Sequence, residues 1–324
     1  MENTQHLKKR LKSVANINKI TKAMELVAAT KMRRSQEIAL ASRPYALTAL
    51  DLLANLTLIE KSTKFPMPEL LQQRKIKRVL FVLISSDKGL AGSFNSAVFK
   101  KFEQHMERDK EKYRQEEKFF VAVGEKAFQY LSKKGIAVLR KFVQAGDYTT
   151  AEQVKPLTDF IVKGYLKTSA PGGASWDRVV IFSTHFRSAL KQEPHVRKAL
   201  PIQFDHLLET IKEITPSTGK FADIIKEQNI TFGGEIKDIK EYLIEPSPEA
   251  VLEDLAKHLL FMQMYHLILE ANASEHSARR MAMKTASDNA SDLSETLNLQ
   301  YNKSRQSAIT KEIIEITAGS EALS

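Results

Sequence analysis

The stretch Ser274–Ala290, SEHSARRMAMKTASDNA, places charged, hydroxyl and small apolar side chains on every face of a helical repeat. It lies within residues 249–318, a run that contains neither proline nor glycine. Because these residues are the strongest helix breakers, the run predicts one continuous helix, about 105 Å long at the usual rise per residue. No single domain of this size can cover such a helix, so another helix or a partner protein must do so.

Residues 1–43 also lack proline and glycine and predict a second long helix. Spacings of three and four indicate a heptad seam on it, formed by Ile17, Ile20, Met24, Val27, Lys31, Arg34 and Ile38. The matching positions of the C-terminal helix are Ala286, Ala290, Leu293, Leu297 and Tyr301, followed by Ala308, Ile309, Ile313 and Ile316. The two helices lie at opposite ends of the chain, which favours an antiparallel coiled coil.

The middle of the chain predicts an α/β domain with a partly parallel sheet, because strand and helix patterns alternate. The predicted strands are Arg78–Ser85, Phe119–Val123, Ile136–Leu139, Val179–Ser183 and Tyr242–Ile244. Helical patterns cover Ser93–His105 and the residues from Gly124 to Leu131, while Lys100–Lys118 and Lys167–Gly173 are expected to be surface inserts. The predicted domains are residues 1–60 (N-terminal helix, kinked near Pro44), 61–76 (linker), 77–245 (α/β domain) and 246–324 (C-terminal helix).

The composition limits the classes of function. The chain has no cysteine, which excludes disulfides, thiol catalysis and thiolate metal sites. Its net charge of +10 suggests an acidic partner, although ordinary solubility charge is an alternative; residues 1–43 carry ten Lys or Arg against three Glu. No apolar run is long enough to span a membrane, and the first ten residues are too polar for a signal peptide, so we expect a cytosolic location.

The segment Ser85–Asn95, SSDKGLAGSFN, follows the best strand, where glycine-rich loops often bind phosphate. Its glycines form GxxG, and the sequence contains neither GxGxxG nor GxxxxGK[ST]. We therefore expect a tight turn in which Asp87 and Asn95 cap backbone groups. The eight histidines show no metal-site spacing, and GxSxG is absent, so no catalytic residue, metal or cofactor is predicted. His258 and His266, eight residues apart on one helix, are expected to pack at the surface or against a partner.

Four segments together resemble the gamma-subunit family of the F-type ATP synthase. They are ITKAMELVAATKMRRSQ, SSDKGLAGSFN, EYLIEPSPEAVL and the C-terminal SEHSARRMAMKTASDNA with YNKSRQSAITKEIIEI. The resemblance implies an antiparallel coiled coil with a Rossmann-like α/β domain at its base. It also implies a non-catalytic rotor shaft of this proton-transporting ATPase, with one copy for three alpha and three beta subunits. The further expected partners are an epsilon subunit and a membrane c-ring, with no nucleic acid or small-molecule substrate, at the cytoplasmic face of the bacterial plasma membrane.

The resemblance also implies roles for individual residues. Contacts with the alpha/beta ring are expected from Met24, Lys31, Arg33, Arg34, Arg279, Arg305, Gln306, Thr310 and Glu312. The central loop, toward the foot, contributes Asp87, Gly89, Leu90, Gly92 and Asn95. One position departs from the family pattern, since Arg280 stands where the family has methionine.

Two alternative functions remain open at this stage. An α/β enzyme using the Ser85–Asn95 loop would need a nucleotide-binding motif, and the loop offers only GxxG. A nucleic-acid binder would use the basic N-terminal helix, yet residues 249–318 hold seven basic against ten acidic side chains. That acidity favours helix pairing and a protein partner.

Overall fold

The computed structural model describes residues 4–41, 68–111, 113–144, 146, 150–166, 175–203, 245 and 247–321. The chain divides into two compact units, Met1–Thr30 with Arg279–Ser324 and Lys31–Ala278. The first unit contains the paired terminal helices, and the second contains the α/β domain. The predicted Pro44 kink, the linker at 61–67 and the strand Tyr242–Ile244 lie outside the described residues, and the predicted domain boundaries stay predictions.

The described elements alternate between helix and strand in the middle of the chain. In order they are α1 (Thr4–Ala41), β1 (Arg78–Ile84), α2 (Phe94–Arg108), β2 (Glu117–Val123), α3 (Glu125–Lys133), β3 (Arg140–Phe142), α4 (Ala151–Tyr165), β4 (Arg178–Phe186), β5 (Gln192–Leu200) and α5 (Pro248–Glu321). This mixed α/β fold with a long C-terminal helix confirms the predicted fold class.

The five strands form one sheet in the order β3-β2-β1-β4-β5. Neighbouring strands are parallel except for β5, which pairs antiparallel with β4 at the edge. Both faces of the sheet are covered, one by α4 and the beginning of α5 and the other by α2 and α3. Since β1 is buried on both faces, it reads as a continuous apolar run rather than an alternating one.

The beginning of α5 packs on the sheet with one apolar stripe. The stripe follows helical spacing and consists of Leu252, Ala256, Leu259, Leu260, Met264, Leu267, Ile268 and Ala271. The sheet thereby covers this part of the long helix.

Two expectations for the α/β domain need correction, and two elements of the domain were not predicted. The segment Ile136–Leu139 is not a strand, and β3 begins only at Arg140. The segment has an apolar pattern because Ile136 and Val138 pack against the core. The range Lys100–Lys118 is not merely a surface insert: it completes α2 and carries the buried residues Phe102 and Tyr113. Two elements, α4 and β5, have no counterpart among the predicted ones.

A buried ionisable cluster fixes α5 to the sheet edge. Nδ1 of His185, on β4, lies 2.9 and 3.0 Å from the two carboxylate oxygens of Glu270. Nε2 of His266, one helical turn before Glu270, lies 3.2 Å from Oε1 of Glu270. Burial opposes ionisation of Glu270, but the two histidines outweigh it and lower the pKa of this carboxyl to about 2. His266 is thus buried inside the domain, and the expected surface role is wrong.

Gly164 permits the close approach of α4 to the single tryptophan of the chain. A Cβ at this position would lie 2.1 Å from Cζ2 of Trp176, whose ring is buried and whose Nε1 donates a hydrogen bond to the Ile161 carbonyl at 3.0 Å. We expect Gly164→Ala to lower the free energy of unfolding by about 2 kcal/mol, because the held indole cannot move aside cheaply. Urea unfolding followed by Trp176 fluorescence measures this loss; an unchanged midpoint would contradict it.

Candidate partner-binding surface of the terminal helices

The buried face of α1 follows a heptad that differs from the predicted one. Its buried and half-buried positions include a series spaced three and four apart: Leu7, Leu11, Val14, Asn18, Thr21, Glu25, Ala28, Met32 and Ser35. Of the predicted seam, Ile17, Ile20 and Val27 are instead 52%, 59% and 57% exposed. Met24 and Ile38 of the predicted seam are half-buried, but its other five positions are exposed, because the prediction assigned the apolar face to helix pairing.

The corresponding face of α5, within the helix-pair unit, is also rich in small side chains. Its buried and half-buried positions include Met283, Ser287, Ala290, Ser294, Leu297, Tyr301 and Ser304. Four predicted seam positions are confirmed, because Ala290 and Leu297 are buried and Ala286 and Tyr301 are half-buried. The other five, Leu293, Ala308, Ile309, Ile313 and Ile316, are exposed and were assigned wrongly. The packed face is therefore narrow.

Polar contacts take part in the pairing. The hydroxyl of Ser287 donates a hydrogen bond of 2.6 Å to Oδ1 of Asn18. Glu25 is buried in the α1 seam, and its carboxylate accepts a hydrogen bond of 2.9 Å from the Lys22 ammonium. A groove of about 820 Å³ runs beside these residues in the same unit, lined mainly by small and polar side chains of both helices. Small seam residues bring two helices close together but bury little apolar area.

The exposed face of α1 is apolar where a surface helix is usually polar. Ile17, Ile20, Leu26 and Val27 are all more than half exposed within about three turns. Clustered apolar side chains on a surface mark protein–protein contact sites. Three of these residues, Ile17, Ile20 and Val27, are apolar at heptad spacing, which is why the sequence predicts them in the helix-pairing seam.

The last part of α5 is exposed on all sides. Every residue from Ala308 to Thr317 is exposed, including four isoleucines, Ile309, Ile313, Ile314 and Ile316, the last of them 72% exposed. A helix with exposed isoleucine on more than one face has the pattern expected where another protein contacts it from several sides.

The predicted basic contact residues of α1 lie outside its buried face. Lys31, Arg33 and Arg34 are exposed, and Met24 is half-buried. Nε of Arg33 lies 2.9 Å from the Glu37 carboxylate in an i,i+4 pair whose side chains are 80% and 61% exposed. Such an exposed pair contributes little stability, so Arg33 could exchange Glu37 for a partner at small structural cost.

The predicted contact residues of α5 differ in exposure. Arg305, Gln306, Thr310 and Glu312 are exposed, whereas Arg279 is buried. The Thr310 hydroxyl donates to the Gln306 carbonyl at 2.9 Å, a local bond that leaves the side-chain amide of Gln306 at the surface.

The central loop is a capped turn between β1 and α2. Asn95 Oδ1 accepts a hydrogen bond of 3.0 Å from the backbone N–H of Ser86, and Asp87 Oδ1 accepts one of 2.9 Å from the N–H of Glu125 at the start of α3. These bonds confirm the predicted capping roles of both side chains. Gly89, Leu90 and Gly92 are exposed, and Leu90 has a positive φ of 63° with its side chain 63% exposed.

Within the described ranges, no group of three or more His, Asp or Glu side chains has the arrangement of a metal site. A search of the same residues finds no helix with the length and hydropathy needed to cross a membrane.

The chain is similar to known proteins over nearly its whole length. The family model described as ATP synthase matches residues 3–323. The ATP synthase gamma chains of Herpetosiphon aurantiacus and Opitutus terrae are each 35% identical to this chain; the alignments cover 100% and 98% of this chain and 99% and 98% of theirs.

Two solved structures share the fold. One is a chain of the Euglena gracilis mitochondrial ATP synthase assembly of OSCP, F1 and c-ring, with a TM-score of 0.59 and 15% identity over 99% of this chain and 94% of the other. The second belongs to the central stalk and c-ring of the Tetrahymena thermophila enzyme, with a TM-score of 0.53 and 21% identity over 83% and 99%. The full-length match to the family and to its curated members shows that the chain belongs to the ATP synthase gamma-chain family.

Proposed function

We propose that this chain is the rotor shaft that transmits rotation of a membrane c-ring to a catalytic ring of alpha and beta subunits. Ion flow would drive ATP synthesis through the shaft, and ATP hydrolysis would drive ion pumping in reverse. The observation that carries the proposal is the exposed end of α5, where isoleucines stand on several faces without a covering element among the described residues. A surrounding ring would cover such a helix from all sides.

In this proposal the chain is a non-catalytic subunit, and the nucleotide chemistry belongs to the beta subunits. The polar side chains of the Ser85–Asn95 loop support this, because Asp87 and Asn95 are occupied in capping backbone groups of the domain itself. The helix pair carries the torque, and the α/β domain provides the foot that would meet the epsilon subunit and the c-ring. Gly89, Leu90 and Gly92 would contribute to that foot.

The proposed location is the cytoplasmic face of a bacterial plasma membrane, where the chain is held by its partners. Met24, Lys31, Arg33 and Arg34 on α1, and Arg305, Gln306, Thr310 and Glu312 on α5, would contact the alpha/beta ring. Arg279 is buried, so its contact with the ring would require its side chain to become accessible in the assembly.

Reconstitution tests this function. The purified chain mixed with its cognate alpha and beta subunits should give an active complex that contains one copy for three beta subunits. The chain alone should hydrolyse no ATP. Stoichiometric turnover by the chain alone, or an equal ratio of this chain to beta in the complex, would overturn the proposal.

Neutralising Arg33 and Arg34 should impair coupling more than folding. The double variant Arg33→Gln/Arg34→Gln should change the free energy of unfolding by less than about 0.5 kcal/mol, because both side chains are exposed. ATP-driven ion pumping per ATP hydrolysed should fall roughly by half, because charge complementarity with the ring is lost. The matched control Lys155→Gln/Lys163→Gln, on the exposed face of α4, should leave the pumping ratio unchanged. Unfolding of the arginine variant would instead assign these charges a structural role.

A further inference from the structure

A concave cavity lies between the C-terminal half of α2 and the edge strand β5, entirely within the α/β domain. Its volume is about 650 Å³, within the range of small-molecule sites in proteins. The floor is partly apolar, formed by Val180, Pro194 and Val196. None of the roles proposed above uses this cavity.

Cationic side chains from two elements converge on the cavity. Lys101 and Arg108 reach it from α2, and Lys198 reaches it from β5. Lys101 and Lys198 have no ion-pair partner in the part of the chain that the structure describes. Two lysines on one cavity that lack ion-pair partners of their own repel each other, and a bound anion relieves that repulsion.

The arginine and the polar side chains of the cavity are held in place by their neighbours. Asp109 accepts a hydrogen bond of 2.9 Å from Nε of Arg108, which fixes the guanidinium at the cavity wall. Nε2 of His105 lies 3.1 Å from the Tyr113 hydroxyl. Burial raises the pKa of Tyr113 to about 12, so its phenol stays protonated and neutral. A preorganised guanidinium is the side chain best suited to a phosphate group.

A further cation lies on the sheet face that carries the floor residue Val180. Arg178 precedes the floor residue Val180 by two positions on β4, so both side chains leave the same face of the sheet. Its Nη1 is buried and has no hydrogen-bond partner in the described residues. Asp109 also lines the cavity, and the negative charges of Asp109 and Glu116 both contribute to the raised pKa of Tyr113. Among the charged groups named here, all within the described residues, four cations outnumber two carboxylates.

We propose that this cavity binds a small organic phosphate of nucleotide size. The phosphate groups would bridge Lys101, Arg108 and Lys198, and the organic body would cover the apolar floor. The inference stands independently of the rotor function, because it concerns the α/β domain alone. The same phosphate chemistry is offered by free inorganic phosphate and by phospholipid headgroups, and the test separates these sources.

Calorimetric titration of the full-length chain provides the test. ATP, ADP, pyrophosphate and inorganic phosphate are titrated separately, without alpha and beta subunits, so that no other nucleotide site is present. Saturable binding of ATP or ADP, tighter than that of inorganic phosphate, is expected. Lys101→Ala/Lys198→Ala should weaken it at least about tenfold, since two charge-assisted contacts are removed. Lys100→Ala, an exposed neighbour of Lys101 that does not line the cavity, should leave it within about twofold.

Each other outcome overturns the proposal. Absence of saturable binding at millimolar nucleotide would do so, as would equal losses in the Lys100→Ala and Lys101→Ala/Lys198→Ala variants. Inorganic phosphate that binds as tightly as ATP would show that the organic part of the ligand does not contribute to binding, which contradicts the proposal of an organic phosphate. Binding only to phosphatidylglycerol vesicles, measured by co-sedimentation, would reassign the lysines to a membrane surface. Circular dichroism of each variant confirms that the fold is retained, because all three lysines are exposed.

Discussion

The Gly124→Ala variant should lose about 4 kcal/mol of unfolding free energy, the largest loss that we expect from a single methyl group in this chain. Gly124 joins β2 to α3 with a φ of 94°, a left-handed conformation that L side chains rarely adopt. A Cβ there would lie 2.2 Å from the Ser85 carbonyl oxygen, at the end of the central strand. The backbone N–H of Gly124 also donates to the Phe142 carbonyl at 2.7 Å, so the turn cannot move away from Ser85 without losing this bond.

Gly135→Ala separates the two causes of this loss. Gly135 also has a positive φ, of 70°, but a Cβ there would meet nothing within 4 Å. Its loss should therefore be limited to conformational strain of about 1 kcal/mol. Urea unfolding followed by Trp176 fluorescence compares both variants with wild type. Equal losses would show that strain alone, and not the contact with Ser85, restricts position 124.

The His185→Ala variant should lose about 3 kcal/mol at pH 7, because it leaves the buried carboxylate of Glu270 with one imidazole instead of two. Glu270→Gln retains the shape of the side chain without its charge and should cost less. A loss below about 1 kcal/mol for His185→Ala would contradict the assignment of Glu270 as a buried anion that depends on both histidines.

The pH dependence of stability provides an independent check of the same cluster. The pKa of Glu270 is lowered from an ordinary value of 4.5 to about 2, so the unfolded chain binds its proton more readily than the folded chain. The stability that depends on ionised Glu270 is therefore fully present above about pH 4.5 and is lost as the pH falls toward 2. Wild type should become less stable across this window, and the Glu270→Gln variant should lack that contribution. Neighbouring ionisable groups include His266, His195 and, around His195, Glu193 and Arg197, and they are unchanged in both proteins.

The sheet was largely predictable because its central strands are buried on both faces. RVLFVLI and RVVIF are apolar runs whose strand character needs no knowledge of neighbours. The edge strand β5, QEPHVRKAL, was missed because an edge position tolerates polar residues and even Pro194. The short strand β3 was displaced because Ile136 and Val138 are apolar for packing rather than for strand pairing.

The seam of α1 could not be predicted from hydropathy alone. A helix that contacts two different proteins or elements has two apolar faces, and a sequence does not state which face belongs to which contact. Here Asn18, Thr21 and Glu25 lie in the packed face, whereas Ile17 and Ile20 are exposed. Lys31 and Arg34 therefore do not interrupt the packing seam; they continue an outward face that begins with isoleucine.

The candidate contact residues were predictable only through the family resemblance. Their exposure agrees with a role in binding for Lys31, Arg33, Arg34 and Arg305, but composition and spacing alone would not have selected them. The exposure of the isoleucines beyond Ala308 could not be predicted from the sequence, because it depends on which faces of α5 are covered in the fold. The cavity beside α2 likewise arises from a strand that the sequence did not predict.

Rotation of the chain inside an immobilised alpha/beta ring tests the central proposal most directly. The absence of native cysteine allows a single label at Ser132→Cys, an exposed position on α3 of the α/β domain. After addition of ATP, a bead attached at this cysteine should turn in one direction and pause three times per turn, once for each beta subunit. A bead that stays fixed while the same complexes hydrolyse ATP at the normal rate would contradict the assignment of this chain as the shaft.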